Sequence, residues 1–502
     1  MSQTIEFVDQ TLRDGQQSLW GCRMRSHQAE AALPHIDRTG FDVVDLTGPG
    51  MFTVLLRQFR DNPWTSTDFL VQRLRNTECR ASFRSRNIMG FGFTPDSIMD
   101  LWIRTQVKHG IQSFWLYDCL YDLPTMLRVT TVVHEAGAIP VPSIMYGLTD
   151  VHDDAFFVER AAKMALWPGV KSLYIEDAAG VLTPERAATL LPAIRAATGS
   201  VKLELHCHNT TGLAQHNYVE GLKAGFTSLH TASRPMANGP SLPSTEGMLP
   251  ILERMGLEHR LDTNQFEPVA QNFIWAAGDA GFAPGQMAEF DPRIYDHQVP
   301  GGMTGTLKNQ LAQHGMGHRF DEVLAEIPRV RRELGEPIMA TPFSQFVGVQ
   351  AVLNMLARER YDLVPDEVIQ YALGHYGPVP RPIDPEVYDK IMASPRAEHF
   401  RSWIQPQPSL AEVRSRFRAG IPDEELLLRL MTSDREVDDM LTKGPIPVDP
   451  RRRSDVILQH VSSLVADPGT SSSISVSSPG MSVSFSRRPP APAASPAAPN
   501  AS

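Results

Sequence analysis

The sequence predicts an α/β chain: a (β/α)8 TIM barrel, then a mainly helical domain, then a disordered tail. Eight short runs rich in β-branched and aromatic residues recur over about the 250 residues that such a barrel needs. The spacers between them carry helix start and stop signals. Beyond about residue 300 the texture changes to helical stretches broken by proline-rich loops.

Taken in order, strands are expected at IEFVDQTL (5–12), FDVVDLT (41–47), CRASFRS (79–85) and IQSFWLYD (111–118). Four more are expected at AIPVPSIMYG (138–147), VKSLYIEDA (170–178), KLELHCH (202–208) and SLHTASRP (228–235). Thr94-Pro95-Asp96 precedes the apolar-periodic SIMDLWIRTQVKHG, and Thr183-Pro184-Glu185 sets a cap, a first-turn proline and an acid in order. Gly110, Gly137 and Gly225 stand where helices should stop. A doubly wound open sheet is the alternative, weakened because no GxGxxG follows the first strand and the strands stop at eight. The barrel is assigned residues 1–290 and the helical domain, with YGPVPRPIDPEVYDKI, residues 291–462. Residues 463–502 are too rich in Ser, Pro and Ala to bury a core, so a disordered tail is expected.

Composition narrows the function classes. The 502 residues include 42% hydrophobic and 21% charged residues, ordinary for a soluble protein with a sizeable core. A net charge of −10 argues against nucleic acid or an anionic membrane as the main partner. The run Arg451-Arg452-Arg453 reads as a solvated linker. Cys22, Cys79, Cys119 and Cys207 are too few and scattered for a disulfide framework or a CxxC zinc site. No signal-peptide pattern opens the chain, and no run reaches the ~18 apolar residues of a membrane span. A cytoplasmic protein is expected.

In such barrels the active site lies at the carboxyl ends of the strands. Strand one is expected to end in Arg13-Asp14, strand three in Arg84 and strand four in Asp118. Strand six ends in Glu176-Asp177, and strand seven in His206-Cys207-His208-Asn209. Residues i and i+2 of a strand share a face. His206 and His208 can therefore both face the mouth while Cys207 faces the helices. With Asp14 and Glu176 at the same rim they make a divalent-metal site of mixed N/O ligands, suited to Zn²⁺, Mn²⁺, Co²⁺ or Mg²⁺. The competing reading is histidines that only hydrogen-bond within the rim. Arg13 and Arg84 can hold a substrate carboxylate bidentately, or form ordinary ion pairs.

Several segments carry a family resemblance. DQTLRDGQQSLWGCRM resembles the D-x-T-x-R-D-x-x-Q-S opening of the metal-dependent carboxyltransferases: the pyruvate carboxylase carboxyltransferase domain, the oxaloacetate decarboxylase alpha subunit and the transcarboxylase subunit. Their barrel superfamily includes 3-hydroxy-3-methylglutaryl-CoA lyase and isopropylmalate synthase. FRSRNIMGFGFTPD resembles their L-R-G-Q-N-x-V-G-Y, FWLYDCLYD their F-R-x-F-D-x-x-N-D, and HCHNTTGLA their H-x-H-x-T-x-G. PGGMTGTLKNQL, ATPFSQFVGVQAVLNM and YGPVPRPIDPEVYDKI resemble segments of their helical funnel domain. The resemblance implies Asp14, His206 and His208 as metal ligands. It implies Arg13 and Gln17 at the oxo acid or its enolate, and Arg84 on its carboxylate. A homodimer is also implied.

Two departures qualify this. The family's K-D-x-A-G lysine, carbamylated to complete the metal shell, is replaced in Glu176-Asp177-Ala178-Ala179-Gly180 by Glu176, a carboxylate on a shorter arm. Glu176 is expected to ligate the metal and act in catalysis, and Asp177 to be structural. The family's S-G-x-T-S-Q-P-S, whose threonine carries a proton between biotin and pyruvate, reads here from Ala237 to Ser244 with Pro240 at the threonine position. Ser241 is the nearest substitute hydroxyl.

No A-M-K-M biotin-attachment motif occurs in the chain, so biotin is not expected to be carried on it. The leading expectation is metal-dependent carboxyl transfer or decarboxylation of a small 2-oxo acid, of the oxaloacetate/pyruvate type, through an enolate, with the use of biotin left open. Biotin-dependent transfer would need a separate biotin carrier protein. Aldol-type chemistry on a 2-oxo or 2-hydroxy acid is a third reading, and a non-catalytic scaffold a fourth.

Overall fold

Eight parallel strands alternate with helices, close to where the apolar runs predict: β1 Thr4–Asp9, β2 Val43–Thr47, β3 Glu78–Arg84 and β4 Ser113–Tyr117. They continue as β5 Ile139–Met145, β6 Ser172–Asp177, β7 Lys202–Cys207 and β8 Ser228–Thr231. β1 pairs in parallel with both β8 and β2, so the sheet closes and the open-sheet alternative falls. This computed structural model describes residues 4–447 apart from 314, then 449, 473–478 and 481–486.

The first strand is shorter than the sequence suggests. β1 stops at Asp9, and Thr11–Gly15 forms a π-helical turn that carries Arg13 and Asp14. Thr11 Oγ1 donates to Asp9 Oδ1 at 2.6 Å and accepts from the Ser233 N–H at 2.8 Å. These bonds draw the chain out of the ladder before the strand reaches Arg13. Single π-turns are frequent at functional sites.

Alternation sends every second strand residue inward. Low in the barrel, Arg80 grips Glu204 with Nη1 at 2.6 Å and Nη2 at 3.2 Å. Glu204 also accepts from Ser172 Oγ at 2.7 Å and pairs with His230 Nε2 at 2.9 Å. Above this, the rings of Trp115 and Tyr174 stack with centroids 5.0 Å apart, and Val141 packs beside them. The outward residues, among them Phe7, Phe83, Phe114, Ile175 and Leu205, are buried beneath the helices. Each such side chain contributes about 1.5–3 kcal/mol relative to exposure.

The helix signals hold. Thr183 caps Pro184–Ala197, its hydroxyl accepting from the Arg186 N–H at 3.2 Å. Gly110 follows Asp96–Lys108 at φ +88°, a conformation that costs glycine little.

The later helices include Gly301–Gln313, Phe320–Glu333, Phe343–Leu356 and, last, Asp434–Lys443. With the barrel they form one compact unit, Met1–Ile446. The boundary expected at residue 290 falls between the helices Phe266–Ala280 and Ile294–His297. Several contacts seat these helices at the carboxyl ends of the strands. Arg331 Nη2 donates to the Leu148 carbonyl just past β5 at 3.0 Å, and Cys119 Sγ just past β4 contacts the Thr341 carbonyl at 3.6 Å.

The second unit is Pro447–Ser502. Most of the expected disordered tail lies outside the described residues; within it Ser473–Ser478 and Met481–Ser486 pair antiparallel. Among the described residues no helix is long and apolar enough to cross a membrane.

Candidate metal centre and substrate cleft

Asp14, His206 and His208 are all buried and bring one ligand atom each to within 4.8 Å of one another. Asp14 comes from the π-turn, His206 from the inward face of β7, and His208 from just beyond its end. Asp14 Oδ2 lies 3.9 Å from His206 Nε2 and 3.6 Å from His208 Nε2. These distances are long for hydrogen bonds but fit donors that each reach one ion at about 2.0–2.2 Å.

The ring nitrogens are prepared for that role. His208 Nδ1 lies 2.6 Å from the Pro240 carbonyl, which can only accept. The proton therefore sits on Nδ1, and Nε2 offers its lone pair toward Asp14. His206 Nδ1 lies 2.6 Å from Tyr174 Oη, while its buried Nε2 has no hydrogen-bond partner. Burial holds His206 neutral, with His208 and His230 adding to the effect. Cys207 faces the helix layer as alternation predicts; its N–H meets Tyr218 Oη of the helix Ala214–Lys223 at 3.3 Å. The β6 loop fits here because Gly180, at φ +73°, has no Cβ; one would stand 2.8 Å from the His208 carbonyl.

Arg13 lies beneath the cluster. Nη1 is 2.9 Å from Asp14 Oδ2, Nε is 3.3 Å from Asp45 Oδ2, and the guanidinium sits 4.8 Å over the Trp115 ring. Burial alone would lower its pKa, but Asp14 and Asp45 raise it overall, so the cation is secure. Asp14, Asp45 and Glu176 all act on this one guanidinium. A divalent cation among these carboxylates would favour their ionised forms.

Glu176 pairs in register with His206 across β6 and β7, so both side chains leave the same face of the sheet. It is buried and its Oε2 has no partner, but it is not among the three mutually close ligands. Burial pushes its carboxyl up to about 8, against the pull of Arg13, with Asp14 and Asp45 adding to the rise. Asp177 points away and accepts from the N–H groups of Val181 at 3.0 Å and Leu182 at 2.7 Å, anchoring the loop.

Arg84, at the end of β3, donates from Nη2 to the carbonyls of Ile88 at 3.1 Å and Gly90 at 2.9 Å. Its Nε and Nη1 are buried without partners, and burial lowers its pKa. It lines a narrow cleft, with free room of about 20 Å³, together with Tyr117, Asp118, Cys119, Phe343 and Tyr376. Asp118 serves the loops, accepting from Ser85 Oγ and, at 2.9 Å, from the Leu120 N–H. Gln17 is exposed at the start of the helix Gln16–Trp20. Ser241 is fully buried, and its hydroxyl donates to the Met236 carbonyl at 2.8 Å within its own loop.

Sequence reasoning missed four participants. Ser18 Oγ donates to Asp14 Oδ1 at 2.9 Å, and Trp115, Tyr174 and His230 form the bed under the ligands. The signal for Tyr174 was its place two residues before Glu176 on the same face.

Two family profiles match the chain: HMGL-like over residues 4–272 and the conserved carboxylase domain over residues 294–435. A pyruvate carboxylase subunit of Methanocaldococcus jannaschii is 33% identical over 389 residues, covering 77% of this chain and 68% of that protein. The 2-oxoglutarate carboxylase large subunit of Hydrogenobacter thermophilus is 30% identical over 397 residues, covering 79% of this chain and 61% of that protein. The fold matches the carboxyl transferase domain of Rhizobium etli pyruvate carboxylase, solved with pyruvate, at a TM-score of 0.79 and 21% identity, over 88% of this chain and 77% of that one.

Proposed function

Because the chain belongs to the HMGL-like family and carries the conserved carboxylase domain, as an enzyme of the carboxyltransferase type, we propose that it adds or removes a carboxyl group on a 2-oxo acid of the oxaloacetate/pyruvate class through an enolate. The observation that carries this reading is Arg84. A buried guanidinium with two free nitrogens and no carboxylate partner among the described residues calls for an anion from outside, and a 2-oxo acid brings a carboxylate.

Asp14, His206 and His208 would hold a divalent ion, Zn²⁺, Mn²⁺, Co²⁺ or Mg²⁺, which when bound would polarise the substrate carbonyl. Glu176, with its free oxygen on the same face as His206, would be a further carboxylate donor to that ion. Arg13, kept cationic by Asp14 and Asp45, would stabilise the enolate oxygen, and Arg84 would fix the carboxylate. Gln17 would reach the substrate from the exposed side.

Pro240 favours a route without biotin. Its carbonyl is committed to His208 Nδ1, and it brings no hydroxyl to relay a proton. The neighbouring Ser241 hydroxyl is held by Met236. Biotin-dependent transfer would require a biotin carrier protein as partner.

The test is incubation of the metal-loaded protein with oxaloacetate, with and without biotin, following pyruvate. Pyruvate formed equally in both supports the biotin-independent reading. Pyruvate only with biotin would transfer the chain to the carrier-dependent reaction. No pyruvate in any metal condition, with no conversion of other 2-oxo acids by mass spectrometry, would sink the proposal.

A further inference from the structure

We infer that Tyr117 is the proton donor at the reacting carbon, an inference that rests on the enolate reading of the site. Arg84 and Tyr117 are partners in register on β3 and β4, so their side chains leave the same face and line the same cleft. The Tyr117 ring stacks on Trp115 with centroids 5.0 Å apart. The same indole carries the Arg13 guanidinium at 4.8 Å. Tyr117 thus links the cation assigned to the carboxylate with the cation assigned to the enolate oxygen. In a 2-oxo acid those two groups sit on adjacent carbons, and the carbon that loses or gains the carboxyl group is the next one along.

Most other hydroxyl and thiol donors nearby are committed; Thr341, whose hydroxyl accepts from Gln345 Nε2 at 3.4 Å, is the exception. Ser85 Oγ donates to Asp118, Tyr376 Oη to the Phe91 carbonyl at 3.1 Å, and Cys119 Sγ to the Thr341 carbonyl at 3.6 Å. Ser241 donates to Met236, and Tyr174, whose hydroxyl oxygen accepts from His206, does not line the Arg84 cleft. The Tyr117 hydroxyl has no hydrogen-bond partner among the described residues, although its ring is held on Trp115. Burial raises its pKa, against the pull of Arg84, so the phenol arrives protonated.

The step balances without a co-reactant. The bond from the reacting carbon to its carboxylate breaks, carbon dioxide leaves, and the electron pair enters the enolate. The enolate carbon then takes the proton from Tyr117 Oη, the O–H pair stays on oxygen, and the phenolate regains a proton from water. Carboxylation begins with the reverse transfer, after the phenol has first given its proton to water.

The test is deuterium exchange into the pyruvate methyl group, followed by NMR in deuterated water with the full-length, metal-loaded protein and Tyr117→Phe. The expected result is exchange by the wild type and a loss of about a hundredfold in kcat for the variant, with KM for pyruvate and metal content unchanged. A variant that exchanges as fast as the wild type, or that loses only KM, would overturn the role of Tyr117 and leave the enolate reading intact. A wild type that exchanges nothing would overturn the enolate reading and this role together.

Discussion

The hydroxyl of Tyr174 stands 2.6 Å from Nδ1 of His206. For Nε2 of His206 to offer a lone pair, Nδ1 must carry the proton and donate it to that oxygen. The same oxygen lies 3.5 Å from Arg13 Nη2, and the ring is fixed on Trp115. One phenol therefore orients both a ligand of the candidate metal and the cation beside it. Tyr174→Phe should keep the fold and weaken metal binding about 10–100-fold, measured by titration of the metal-free protein.

Arg84→Met removes the unpartnered guanidinium while keeping much of its packing volume. Charge-assisted hydrogen bonds contribute about 1.5–3 kcal/mol, so kcat/KM for a 2-oxo acid should fall roughly 10–150-fold. Metal content should not change. Steady-state kinetics alongside metal analysis checks both halves of the expectation.

Glu204→Gln leaves the buried Arg80 guanidinium without its counter-charge, and removes an acceptor from Ser172 and His230. Breaking a buried pair from one side costs about 3–5 kcal/mol. Denaturant unfolding should show a loss of that order. The barrel floor, which reaches His206 through His230, would be shown to carry stability.

Asp61 accepts from Arg25 Nε and Nη2, both at 2.7 Å, and from Lys443 at 2.9 Å, tying the last helix to the barrel. Burial opposes its ionisation, but the bonds from Arg25 and Lys443 prevail and lower its pKa from 3.8. A lowered carboxylate stabilises the fold above its unfolded pKa, and that contribution is lost as pH falls through the folded value. Asp61→Asn should therefore cost about 1.5–3 kcal/mol at neutral pH and less as the pH drops below about 4. Thermal or denaturant unfolding across that range measures it.

The strand positions were legible because apolar alternation and loop punctuation survive in a barrel whose strands each face two environments. His206 and His208 followed from the two-residue strand period, and Glu176 from its place at a strand end. The turn at Arg13–Asp14 was not legible, because the Ser233 N–H that helps draw Thr11 aside is supplied from 222 residues away. Trp115 and Tyr174 read as core residues; only the closed barrel reveals that their faces meet under Arg13. The direction of the Ser241 hydroxyl depends on how its loop folds back on Met236, which no local pattern encodes.

The most direct test of the central claim is the metal content of the purified full-length protein beside Asp14→Ala and His208→Ala, read by elemental analysis after dialysis against metal-free buffer. The account predicts close to one divalent ion per wild-type chain and a near-complete loss in both variants, with folding retained by circular dichroism. Unchanged metal content in the two variants, or a folded wild type that takes up no ion from any divalent salt, would contradict it.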